Sequence, residues 1–309
     1  MSHFSVVVAI SGDVAFGDVE DAVAAVLQPF HEFECTGDND QYVQDIDITQ
    51  QARDEWDEEK GTFAQWVSDY YGFKPVQPGE VPDKNGEHKY GWVRVDEKGD
   101  VVEAVDRTNP NKKWDWWVVG GRWAGFFRAK PGVYSARGDN GLMGTNKSTA
   151  GADVLRKRDV DYAAEAAEVT ASAGSYYDSV YAVVADHLAG FRTWDDVLAS
   201  IPNIDEARKT YRGQPVYRAL AAAAQTDREL GWVEMENLLC TRGEYIAKRV
   251  RDARTPFAFV DKSGRWHEKG RMGWWACVSN ENHDWPADFE RELSAVSDGD
   301  WLVAVDCHI

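Results

Sequence analysis

Residues 109–123 (NPNKKWDWWVVGGRW) set Lys113, Trp114, Asp115, Trp116 and Trp117 ahead of Gly120, Gly121, Arg122 and Trp123. Flat apolar faces, a backbone free to approach a ligand closely and a guanidinium matched to phosphate or carboxylate are the parts of a site for a stacked base with a phosphate beside it. A plain alternative stands beside that reading. Alternating Trp residues on a strand fill a core, Gly120–Gly121 forms a bulge, and Arg122 pairs with one of the many carboxylates.

A second group of residues has the chemistry of metal ligation. His31, Glu32, Glu34 and Cys35 lie within five consecutive positions. On a helical turn His31 and Cys35 share a face and offer a two-ligand grip, whereas on extended chain they share a face but stand too far apart. The alternative here is a capped helix end followed by a hydrogen-bonded loop. At the other end, Asp306–Cys307–His308 continues a strand, so Asp306 and His308 point to one face and Cys307 to the other. If the first and last strands are antiparallel neighbours, His3 and His308 share a sheet edge, and Asp306 completes a metal or acid–base group; the alternative is a tail packed against a neighbouring helix. The GxxxxGK[ST], GxSxG, HExxH and EF-hand patterns are all absent from the sequence, which disfavours the motif-readable hydrolases and calcium sensors.

These residues have to be positioned by regular elements. Residues 5–10 (SVVVAI) form a continuous β-branched run and predict a buried strand, and residues 19–27 have the acidic first turn and Ala-rich body of a helix ended by Pro29. Residues 54–71 space Trp56, Phe63, Trp66, Val67 and Tyr70 as an amphipathic helix, and residues 90–95 and 101–105 flank a turn as a hairpin. Residues 131–151 are rich in Gly, Ser, Asn and Thr without apolar period, and predict a flexible loop. From 152 to 254 the chain turns Ala-, Arg- and Glu-rich with helical spacing, punctuated at Gly174, Gly190, Pro202, Gly213 and Gly231. Residues 256–260 and 274–278 around a Ser263–Gly264 turn predict a second hairpin, followed by a helix over 285–296 and a last strand over 301–305. The expected fold is α+β, with a mixed or antiparallel sheet built from residues 1–130 and 255–309, a loop over 131–151, and a mostly helical insertion over 152–254.

The 309 residues are 43% hydrophobic, enough for a sizeable core. Lys and Arg number 34 against 53 Asp and Glu, a formal charge of −19. A surface of that sign repels phosphate polymers and anionic lipid at long range, so non-specific nucleic-acid binding is not expected. One pocket with a few Arg or Lys side chains can still be locally positive and take a small nucleotide. Neither a signal-peptide pattern near residue 1 nor an apolar stretch of membrane-spanning length is present. The cysteines Cys35, Cys240, Cys277 and Cys307 have no CxxC spacing and are too few for a disulfide scaffold. A reducing cytoplasm and no membrane partner are expected.

Five pieces, MSHF (1–4), LQPFHEFECTG (27–37), KWDW through GGRW (113–123), GWW (273–275) and VDCHI (305–309), together resemble a family of uncharacterised proteins of bacteriophages of actinobacteria and other hosts. The resemblance implies a phage accessory protein acting in the infected cell, assigns no activity, and brings Trp274 into the set of candidate ligand residues. Three functions are then open: a binding protein for a small nucleotide-like ligand or a host protein, countering an antiviral defence; a metal-dependent hydrolase or nuclease of small nucleotides; and a structural or interaction protein. Cofactor and oligomeric state do not follow from these residues.

Overall fold

The computed structural model describes residues 2–32, 40–137, 139–140, 151–273 and 277–309, with backbone alone at Glu58, Asp139 and Asn140. The chain divides into two compact units: residues 1–160 with 256–309, and residues 161–255.

In chain order the first unit opens with β1 (His3–Ile10) and α1 (Val19–Leu27), then β2 (Gln44–Asp47), α2 (Thr49–Glu55), α3 (Phe63–Tyr71), β3 (Lys74–Val76), β4 (Gly91–Val95) and β5 (Val101–Thr108). It continues with β6 (Trp116–Gly121), β7 (Phe127–Arg128), β8 (Ser135–Ala136), β9 (Asp139–Asn140), β10 (Gly151–Ala152) and β11 (Val154–Arg156). The second unit holds α4 (Tyr162–Val184), α5 (Trp194–Ser200), α6 (Ile204–Arg212), α7 (Pro215–Ala223) and α8 (Arg242–Arg254). The chain then returns to the first unit with β12 (Ala258–Val260), β13 (Trp266–Glu268), β14 (Arg271–Met272), β15 (Val278–Ser279), α9 (Trp285–Ala295) and β16 (Trp301–His308).

β1 is an inner strand because nearly every residue in it is apolar and β-branched or small, so both faces can be covered. It pairs parallel with β12 and, over its whole length, antiparallel with β16, from His3 opposite His308 to Ile10 opposite Trp301. The far edge of β16 is shared. Its first residues pair with β11 and its last four, Val305 to His308, with β6. The two-residue period sorts the side chains. Phe4, Val6, Val8 and Ile10 of β1 and Trp301, Val303, Val305 and Cys307 of β16 join Val19, Val23 and Leu27 of α1 in one core. The alternate residues, among them Val7, Leu302, His3, Asp306 and His308, face the other way; on that face Phe259 of β12 meets Phe289 of α9 with ring centroids 5.7 Å apart.

A smaller sheet, β2-β5-β4-β3, packs Val93, Val95, Val101 and Ala104 against Ala52 of α2 and Phe63, Trp66 and Val67 of α3. The helical unit has its own core, in which Tyr177, Val180 and Val184 of α4 pack with Val216, Leu220, Met235, Leu238 and Tyr245.

The fold is α+β, with the central sheet made by both chain ends and the helices concentrated between them. Several boundaries differ from expectation. β11 belongs to the central sheet, so the helical unit starts at Asp161 instead of 152. The segment expected as a loop holds β8, paired with β11, and the backbone of β9, paired with β6, while residues 138 and 141–150 lie outside the described residues. The helix expected over 54–71 is interrupted: α2 ends at Glu55, where Trp56 turns extended with ψ 128°, and α3 starts at Phe63 after Gly61 takes φ +117° and the Thr62 side chain caps the new start by accepting from Gln65 N–H. Gly174 does not break α4: a Cβ there would lie 2.5 Å from Arg242 Nη2, so the glycine makes room for a side chain of α8. The partner of β12 is β13, not the segment at 274–278, of which residues 274–276 lie outside the described residues. The last strand runs three residues beyond Val305, to His308.

Candidate functional site

The antiparallel pairing of β1 with β16, and of β16 with β6, puts Trp116, His308 and His3 in one cross-strand row at the end of the sheet, on a single face. The rings converge. Trp116 stacks on His308 at 5.1 Å with an interplanar angle of 17°, and both Trp116 and His308 meet His3 edge to face, at 5.2 and 4.9 Å. The two imidazoles are buried, while Trp116 remains 40% exposed and so forms the solvent side of the cluster.

Each imidazole is held by its own carboxylate. His3 Nδ1 lies 2.9 Å from Asp306 Oδ1, and His308 Nδ1 lies 2.7 Å from Asp115 Oδ1. Both contacts place the ring proton on Nδ1 and turn Nε2 away from the carboxylate, the arrangement by which a carboxylate fixes the tautomer of a working histidine. Asp306 is nearly inaccessible, and its second oxygen accepts from the backbone N–H of Arg122 at 2.9 Å. The two glycines make that contact geometrically available. Gly120 and Gly121 take φ +78° and +52°, and a Cβ on Gly121 would lie 2.4 Å from Cβ of Asp306.

Asp115 is positioned from behind by the residues of the second candidate group. Its N–H donates to His308 O, and its own carbonyl is 3.0 Å from His31 Nε2. The ring of His31 packs on Trp114, 4.5 Å between centroids. Fully buried Asn109 donates through Nδ2 to the carbonyls of Pro29 and His31, tying this loop to the strand entry. On the first strand, Ser2 Oγ donates to Gly273 O at 3.0 Å. Pieces from near residues 2, 31, 115, 121, 273 and 306 therefore meet at one end of one sheet.

The candidate residues divide by what they touch. His3, Asp306, His308, Asp115, Trp116, Gly120, Gly121 and the backbone of Arg122 are together. Trp114 is core: it is buried among the residues under α1 and its Nε1 donates to Leu27 O. Lys113 is paired with Glu268 at 2.7 Å, and Glu32 with Lys112 at 2.8 Å. Trp123 is half-buried, and its N–H closes the turn onto Gly120 O. Cys35 and Trp274 lie outside the described residues.

Of the expected metal set, His3, His308 and Asp306 meet at one sheet end, but among the described residues their donor atoms do not converge as a metal group, and His31 and Glu32 have other partners. Asp306 spends its oxygens on His3 and Arg122, and His31 faces a carbonyl. Three donors do converge elsewhere, Asp261, His267 and Glu292. There Asp261 accepts from Ser263, Arg265 and His267 at the tip of the β12–β13 hairpin. Those bonds hold its carboxyl well below the usual range against the opposing effect of burial. Cys307 is fully buried on the opposite face from His308, and burial first, then the charges of Asp306 and Asp115, push its thiol well above its ordinary value, which disfavours the thiolate.

Sequence reasoning missed Asn109 and Asp153. Asp153 is fully buried and accepts from the N–H groups of Gly125 and Phe126, fixing the turn after β6. The one available signal for each was a polar residue adjoining a β-type run. None of the helices among the described residues is long and apolar enough to cross a membrane. Comparisons of the chain with protein families, with curated proteins and with solved structures return no match.

Proposed function

We propose that the chain is a binding protein whose sheet-end site holds a small nucleotide-like ligand, with Trp116 as the stacking face and the two His–Asp pairs meeting the ligand's polar groups. The observation that carries this reading is the row Trp116–His308–His3 with a carboxylate behind each imidazole. Stacking on an indole is worth about 1–3 kcal/mol per base and tolerates any base. An imidazole fixed through Nδ1 offers Nε2 as a pre-oriented partner for a phosphate oxygen or a base edge. With the resemblance to phage proteins, the role that fits is capture of a small nucleotide signal of the infected host's defence.

The test is a thermal-shift panel of mono-, di- and cyclic oligonucleotides on the intact chain and on Trp116→Ala. A bound nucleotide at a hundred times its Kd adds about 2.7 kcal/mol to stability. The expected result is a shift with the native chain that is lost with Trp116→Ala. If no nucleotide raises the melting temperature, or if Trp116→Ala keeps the full shift, the reading fails.

A second reading, an enzyme acting on small nucleotides, is favoured by one specific feature. Two imidazoles with their rings 4.9 Å apart, each backed by a carboxylate, are the parts of a general acid and general base. With Asp306 committed to its partners, the donors favour that acid–base form over a metal-assisted one. Chromatography of nucleotides after incubation with the chain, and with His3→Ala and His308→Ala, separates turnover from binding.

A further inference from the structure

Asp106 sits where strand periodicity calls for an apolar residue. On β5 it stands one row beyond Ala104, on the face of the smaller sheet that packs Val93, Val95 and Phe73 against α2 and α3; it is in register with Gly91 on β4 and Ile46 on β2. Gly91 lets the Phe73 ring pack close against β4, since a Cβ there would lie 2.6 Å from that ring. Beside this corner lies a cavity of about 400 Å³ with Asp106 on its wall together with Tyr71, Phe73 and Tyr90, a volume in the range of small-molecule sites.

The other charges around the cavity are spoken for. Arg107 pairs with Asp40 and Asp45, and Lys112 with Glu32 at 2.8 Å. The Tyr71 hydroxyl donates to Glu55 at 2.7 Å. Among the described residues no side chain or backbone group donates to the Asp106 carboxylate. Its oxygens are therefore left to whatever occupies the cavity, solvent or a ligand with donors. Burial raises the Asp106 carboxyl above its usual value, and Lys112 offsets only part of this.

We infer that this cavity is a second ligand site, separate from the sheet-end site, which takes a flat base presenting two adjacent N–H donors, the guanine class. A carboxylate accepts two parallel N–H bonds, which is what guanine offers through N1–H and its exocyclic amine. Tyr71, Phe73 and Tyr90 in the wall give such a ring apolar contact. Adenine and the pyrimidines do not present that pair of donors side by side.

Titration calorimetry of the intact chain with guanosine monophosphate and inosine monophosphate tests this. Inosine keeps N1–H and lacks the exocyclic amine. Guanosine monophosphate is expected to bind, inosine monophosphate to bind about tenfold more weakly or worse, and Asp106→Asn to lose about tenfold or more of the guanosine affinity. Absence of guanosine binding, equal affinity for the two nucleotides, or an unchanged Asp106→Asn overturns the inference. If Asp106→Asn does not fold, Tyr90→Ala serves instead, because this wall residue is 47% exposed and its removal spares the core; unchanged guanosine affinity there is equally fatal. Trp116→Ala is expected to leave guanosine binding intact. Loss with Trp116→Ala and retention with Tyr90→Ala would assign the binding to the sheet-end site and overturn the inference, whereas failure of the sheet-end reading leaves this one standing.

Discussion

Asp306 and Gly121 act as one device: the carboxylate fits against the strand because position 121 has no side chain, and from there it orients His3 and accepts from Arg122 N–H. Gly121→Ala meets two costs, a left-handed φ of +52° and a contact of 2.4 Å with Asp306. Together these are expected to lower stability by about 1–3 kcal/mol, read by chemical denaturation, and to detach His3 from its carboxylate. Asp306→Asn keeps the volume but removes the charge that holds Nδ1–H of His3. A loss of about 1–3 kcal/mol is expected, with a change in the His3 tautomer visible in the ¹⁵N shifts of its ring. If both variants leave the His3 ring signals unmoved, the orienting role assigned to Asp306 is wrong. The guanidinium of Arg122 drew attention in the sequence because it is the kind of group that grips phosphate, yet the contribution seen at Asp306 comes from the residue's amide, a group every non-proline residue carries and no sequence pattern marks.

Among the elements, α4 carries a pH-sensitive contact. Glu165 is pushed up to about 7, first by burial, although Arg254 at the end of α8 lies 3.2 Å away and pulls the other way; here desolvation outweighs the ion pair. Because the folded value lies above the unfolded one, the stabilising effect is complete below about pH 4.5 and is lost as pH rises through about 7. Amides of α4 are therefore expected to show larger protection factors, with the intrinsic pH dependence of exchange divided out, at pH 5 than at pH 8. Glu165→Gln should flatten that difference and protect α4 at pH 8 by roughly 1–3 kcal/mol. Faster exchange of the variant at pH 8 would show that the ion pair wins. The elements themselves were legible wherever local pattern and tertiary burial agree, as in β1, α1 and the helix at 285–295. They were misread where one residue overrides a period. The aromatic spacing of 54–71 runs on across a break that begins at Trp56, whose extended backbone ends α2, and Gly174 fails to end α4 because the close approach of Arg242 needs it. The row of Trp116, His308 and His3 was half legible: alternation gave the faces, but the pairing that puts residue 3 opposite residue 308 is set by both chain ends burying their apolar runs side by side, which no local window contains.

The whole molecule sets the terms on which any anion reaches these sites. With a net charge of −19, the chain opposes the approach of a nucleotide from a distance, even where the site itself offers donors. The range of that opposition follows the Debye length, about 30 Å at 0.01 M salt and about 8 Å at 0.15 M. At low salt the field of the entire surface acts on the incoming ligand; at physiological salt only the charges beside the site do. Association of the nucleotide giving the largest thermal shift is therefore expected to quicken as salt rises from 0.01 to 0.15 M, with dissociation nearly constant, in stopped-flow measurements using the Trp fluorescence of the chain. A basic nucleic-acid binder does the opposite, losing affinity as counterions compete for its phosphate contacts. An association rate that falls as salt is added would mean that a local positive field, not Trp116 and the two imidazoles, governs capture, and the ligand would then have to be sought near the Lys and Arg side chains instead of at the sheet end.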